Sequence, residues 1–115
     1  MANPLKGEVE VTIGSETYKC RLTIDALVRI EDELDTGILE LAQSISMAKV
    51  RIRTLLVVLR HALRGGGNDF DDKKIGQIIS EVGIVVASTE VAKLLVATLT
   101  DNDSEEEVDK KKVEA

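Results

Sequence analysis

The chain holds a single histidine, His61, and a single cysteine, Cys20. A nucleophilic pair would need these two within hydrogen-bond reach, with a third group orienting the imidazole. Cys20 falls on the apolar side of an alternating stretch, where a thiol behaves as a small hydrophobe. His61 stands between Arg60 and Ala62 in an apolar helical run and reads as a helix-surface or core-edge residue. Gly65-Gly66-Gly67-Asn68 resembles a phosphate loop only in its glycines. A phosphate cradle needs a preceding strand and a following Gly-Lys-Ser/Thr, and here a helical run precedes and Asp69 follows. Asn68, Asp69, Asp71 and Asp72 offer oxygens, but without the alternate spacing, mid-loop glycine and closing glutamate of a calcium loop. They read as a helix start with spare carboxylates. With no nucleophile, metal set or cofactor cradle, the sequence predicts a protein that is not an enzyme and takes no cofactor.

One further pattern carries chemistry. Lys49, Arg53, Arg60 and Arg64 recur at i, i+4, i+11 and i+15, a basic stripe along one helix. These four are the candidate partner-binding residues. Four phosphate contacts could hold a nucleic-acid backbone weakly. Against that, the chain is acidic overall, with a net charge of −6, and has no aromatic platform for single strands. The reading is therefore a solvated face with ion pairs to an acidic helix, and no nucleic-acid partner.

The element that positions this stripe runs from Lys49 to Arg64. Ile52, Leu55, Leu56, Leu59, Ala62 and Leu63 form one helical face, which Val57 and Val58 widen until the middle is apolar on most sides. Such a helix is central, with neighbours on several flanks. Ser46 is the expected N-cap, and the glycine run ends the helix because glycine takes a left-handed conformation cheaply.

Before it, Glu8 to Leu22 reads as a β-hairpin. Val9, Val11 and Ile13 alternate with polar residues, as do Tyr18, Cys20 and Leu22. Gly14-Ser15 is a two-residue loop with glycine where a type II′ turn needs a positive φ. That turn sets Val11 opposite Tyr18, Glu10 opposite Lys19 and Glu8 opposite Arg21. A hairpin alone is marginal in water, so helices or another chain must cover it. Thr23 then caps a helix from Ile24 to about Asp35, with Ile24, Leu27, Val28, Ile30 and Leu34 inward. The acidic residues at its C-terminal end oppose the macrodipole; they are either tolerated locally or mark a surface kept for a partner. A two-turn helix follows, with Ile38, Leu41, Ala42 and Ile45 inward. Beyond the central helix, Asp71 caps a helix from Asp72 to Val82 with Ile75, Ile78, Ile79 and Val82 inward. Gly83 separates it from a last helix, Ile84 to Thr100, whose inner face is Ile84, Ala87, Val91, Leu94, Leu95 and Leu99. The β-branched start of that helix could form a short strand, but the pattern beyond it favours helix.

The order predicts an α+β fold, an N-terminal β-hairpin packed on a small bundle of about five helices. One domain spans 1–100, and 101–115 is expected to be a disordered acidic tail. Seven acidic residues and three lysines give that tail −4 of the net −6. It has almost nothing to bury. A lone cysteine, the absence of a signal-peptide h-region, and no apolar run of roughly 18 residues predict a cytoplasmic protein that does not cross a membrane.

The sequence also resembles a known family. Asn3-Pro4-Leu5-Lys6-Gly7-Glu8-Val9, the Ile13-Gly14 turn, Leu22-Thr23-Ile24-Asp25-Ala26-Leu27 with Ile30-Glu31, and Leu63-Arg64-Gly65-Gly66 closing a Leu-rich helix resemble the gene transfer agent family of small tail proteins. That family is similar to the tail assembly chaperones of long-tailed phages. The resemblance covers residues 3 to 100. It implies a non-enzymatic protein of tail morphogenesis that keeps the tape measure protein soluble and helps recruit tail tube subunits. It implies the tape measure protein as partner, with the tail tube protein as a second, and leaves homo-oligomerisation open. The alternative is a generic protein-interaction module of the bacterial cytoplasm.

Overall fold

The computed structural model describes residues 8–114, with side chains described over residues 8–100. The acidic tail expected over 101–115 lies outside the residues whose side chains are described. The element order is β1 (Glu8–Ile13), β2 (Glu16–Arg21), α1 (Ile24–Leu34), α2 (Ile38–Ser46), α3 (Ile52–Gly65), α4 (Asp72–Val82) and α5 (Ile84–Glu114). This is the expected α+β arrangement of a hairpin and five helices.

β1 and β2 pair antiparallel in the register set by the turn: Glu8 with Arg21, Val9 with Cys20, Glu10 with Lys19 and Val11 with Tyr18. Gly14 has φ 68° and Ser15 is not among the positive-φ residues, as a type II′ turn requires. Val11, Ile13 and Cys20 are buried, while the charged partners lie on the opposite face. β2 packs on α3 and β1 on α5, so the hairpin's apolar face is covered by helices.

α3 is the centre of the molecule, touching β2, α1, α4 and α5. Leu55, Val57, Val58, Leu59, Ala62 and Leu63 are all fully buried. Its limits differ from the expected ones. α2 continues through Ser46, which therefore does not cap α3. The chain leaves α2 through a Schellman turn: Lys49 N–H donates to Ser44 C=O and Ala48 N–H to Ile45 C=O, with Ala48 at φ 60°. Arg51 is then extended as N-cap, and α3 starts at Ile52. Lys49 is consequently in the link and not on the helix. At the other end Gly65 is still helical, and the same turn recurs with Gly67 at φ 96°: Gly67 N–H reaches Arg64 C=O and Asn68 N–H reaches Leu63 C=O. Gly65 and Gly66 have a different reason to be glycine. A β-carbon on Gly65 would overlap the carbonyl of Arg21, and one on Gly66 the carbonyl of Lys19.

The inward faces match in α2 (Leu41 and Ile45 buried) and in α4 (Ile75, Ile78 and Ile79 buried). The caps at Thr23 and Asp71 form, accepting from Ala26 N–H and Lys74 N–H. Four expected core residues are exposed instead: Ile24 at 64%, Val28 at 47%, Ile52 at 55% and Ile84 at 46%. α1 leans chiefly on α3, so only a narrow Leu27–Ile30 stripe is covered. Ile52 and Ile84 occupy the first positions of their helices. The start of α5 is helical, with Ala87, Val91, Leu94 and Leu95 fully buried.

Candidate partner-binding site

The four basic residues read as one stripe separate into two groups. Arg60 and Arg64 lie in the C-terminal half of α3 and have carboxylate neighbours. Arg60 donates to Glu33 of α1 at 2.5 Å and to Asp72 of α4 at 2.9 Å, with its side chain only 18% exposed. Glu33 also holds His61 Nε2 at 2.6 Å. The hydrogen bonds from Arg60, then from His61, hold the Glu33 carboxyl below the usual glutamate value. The same carboxylates push the Arg60 guanidinium up. Arg64 lies 3.6 Å from Asp69. This cluster ties α1, α3 and α4 together. His61 is thus a core-edge residue with a carboxylate partner, and burial pushes the Cys20 thiol up to about 12, which keeps it protonated.

The acidic end of α1 has a structural explanation that local sequence does not reveal. Glu33 serves Arg60 and His61, and Glu31 Oε2 accepts the N–H of Ile38, the first residue of α2. Charges that oppose their own helix dipole are used by the next helix and by α3.

Lys49 and Arg53 go elsewhere. Together with Arg51, which the sequence pattern does not single out, they line a cleft of about 400 Å³ at the N-terminus of α3. None of the three cations has an ion pair among the described residues. The cap offers nothing either: Arg51 makes no side-chain bond to the helix, so the N–H groups of Ile52, Arg53 and Thr54 lack acceptors among the described residues. Thr54 also lines this cleft; it is only 9% exposed, and its hydroxyl has no partner among the described residues. The signal for Arg51 is positional. It can be read only once the start of α3 is known.

The cleft adjoins a larger, apolar groove of about 760 Å³, and Ile45 and Val50 wall both. The other wall of the groove is the outer face of α5, with Val85, Ala92 and Val96. Val85 is 79% exposed and Val96 53%. From Ile84 to Thr100 only Glu90 and Lys93 are charged, so α5 is apolar on the side that packs and also on the side that does not.

Among the described residues no group of three or more His, Cys, Asp and Glu is placed to hold a metal ion. Among the same residues no single helix is long and apolar enough to cross a membrane. A protein-family model described as phage tail tube protein, GTA-gp10, matches residues 6–101. No curated protein and no solved structure matches the chain.

Proposed function

This chain belongs to the GTA-gp10 phage tail tube protein family, and from that premise we propose that it is a non-enzymatic tail assembly chaperone. In this reading it keeps the tape measure protein soluble in the bacterial host cytoplasm and helps the tail tube assemble around it. The family match over residues 6–101 carries the reading, because a tail family makes other tail proteins the expected partners. The surface supports it. A long, helix-rich partner presents amphipathic stripes to solvent, and the α5 groove is an apolar counterpart bounded by helices. Among the described residues Cys20 is buried and protonated and His61 is engaged by Glu33, an arrangement that suits a binding protein.

The family's description favours a second reading, in which the chain is itself a subunit of the tube. The two make opposite demands on the finished particle. A chaperone leaves before completion; a tube subunit remains in many copies. Co-expression with the tape measure protein of the same phage or gene transfer agent should raise its soluble yield and give a co-purifying complex. Mass spectrometry of purified particles should then find this chain absent. A tape measure protein that stays insoluble, with this chain abundant in particles, would replace the chaperone reading with the tube reading.

A further inference from the structure

The N-terminal end of α3 and the outer face of α5 form one continuous surface whose two parts lack different things. The groove lacks apolar contact: Val85 and Val96 face solvent, and Lys93 is the one charged residue lining the groove among the described residues. The cleft is short of negative charge: its one lining carboxylate among the described residues, Glu33, is engaged by Arg60 and His61. Lys49, Arg51 and Arg53 are unpaired, three backbone N–H groups point from an uncapped helix start, and the Thr54 hydroxyl has no protein partner, all among the described residues. A carboxylate supplies what each of these groups lacks, because it accepts from guanidinium, backbone N–H and hydroxyl alike and is favoured at the positive end of a helix dipole.

We propose that this surface docks an amphipathic helix of a partner protein, its apolar stripe lying along α5 and an acidic residue at one end seated in the Lys49–Arg51–Arg53 cleft. The long wall of the groove, α5, has its backbone hydrogen bonds inside the helix, so no strand can add to it. Side-chain packing is what remains, and a helix presents it in a stripe. From Val85 to Thr100 the groove wall rises about 22 Å, or four helical turns, which suits a helical segment and not an isolated side chain. Charge complementarity fixes the chemistry of one end. The proposal rests on the tail-assembly reading for the source of the helix, the tape measure protein.

The test uses the full chain and overlapping helical fragments tiled along that tape measure protein. At least one fragment carrying an apolar stripe and a flanking Glu or Asp should bind. Val85→Glu, at a largely exposed position, should weaken that fragment by about tenfold. Arg53→Glu should weaken it by a similar factor at low salt, and the loss should shrink at high salt, whereas the Val85→Glu loss should not. A fragment with Lys in place of its flanking acid should recover binding to the Arg53→Glu variant. Arg29→Glu and Leu39→Glu, exposed positions outside both cavities, serve as controls for charge and apolarity. If a fragment binds the wild type and binds both variants equally well, the docking surface is elsewhere and the chaperone reading stands. If no fragment binds and the tape measure protein stays insoluble on co-expression, the chaperone reading falls and the docking proposal with it. A wild-type dimer in sedimentation that Val85→Glu dissociates would assign the groove to a second copy, and loss of duplex-DNA binding on Arg53→Glu would assign the cleft to nucleic acid; either would overturn the proposal.

Discussion

The two ends of α3 are built from the same kinds of residue and use them in opposite ways. At the C-terminal end, Arg60 is shared between Glu33 and Asp72, His61 reaches Glu33, and Asn68 Nδ2 donates to the Lys19 carbonyl. Tyr18 meets Phe70 edge-on at 5.8 Å, with Lys74 Nζ 5.7 Å from the Phe70 ring centre, so both aromatic rings in the chain serve this corner. At the N-terminal end, Lys49, Arg51 and Arg53 have no ion pairs among the described residues, the cap is empty, and Thr54 is unpartnered. The helix entrance even uses Ala48 in the left-handed region where the exit uses Gly67. Polar groups satisfied within the fold contribute to stability. Groups left unsatisfied beside an apolar groove are available to a partner, and a protein tolerates their cost where binding recovers it.

The sharpest way to test that asymmetry is to damage each end and compare. Leu59→Ala, at a fully buried position near the satisfied end, should cost roughly 2–5 kcal/mol in urea melts. Leu56→Ala should cost clearly less, because that side chain is only partly buried. Equal losses at the two positions would mean that α3 is not seated as described.

Gly66→Ala comes next. Its β-carbon would overlap the backbone carbonyl of Lys19, and a strand paired to its neighbour cannot move aside cheaply. A loss of about 1–3 kcal/mol, from overpacking, is expected in the same melts. A near-neutral result would show that the α3–β2 contact is looser than this geometry.

At the unsatisfied end the sign should reverse. Arg51→Asp places an N-cap acceptor where the helix has none and a carboxylate at its positive end, so stability should rise by about 1 kcal/mol. The same change should weaken the acidic-fragment binding proposed above. A protein gaining stability while losing its partner is the outcome expected of a site held uncapped for use.

The smallest effect is a pH dependence. The fold holds the Glu33 carboxyl below its ordinary value through Arg60 and His61. The stability this contributes is present above the unfolded glutamate value, roughly 4.3, and is lost as pH falls through the lower folded value. Glu33→Gln should therefore flatten the acid limb of the stability curve, measured by urea melts between about pH 3 and pH 6. An acid limb as steep as that of the wild type would show that other carboxylates set it.

What the sequence alone determined is local in origin. The hairpin register follows from one two-residue turn and an alternation of period two, because a slip by a single residue would turn Val11 and Cys20 to solvent. The caps at Thr23 and Asp71 follow from side chains that reach their own backbone. The central place of α3 follows from a run apolar on most sides. The resemblance to a tail family was also legible in the order and spacing of short motifs, and the family match agrees with it.

Only the tertiary structure decided the rest. Helical periodicity carries Lys49 onto the α3 stripe, but α2 ends in a turn closed by Ala48 and moves Lys49 off it. The partners of Arg60 lie 27 residues before it and 12 after it, beyond the reach of any local pattern. Whether Ile24 and Val28 are covered depends on which helices lean on α1, and that is set by packing between elements distant in sequence. Gly65 and Gly66 look like one helix-ending run with Gly67, yet they are required because β2 passes within contact of their backbone. The candidate site belongs to this second category. Its cations, its uncapped helix start and its apolar groove come from α2, α3 and α5, and chain packing alone brings them to one surface.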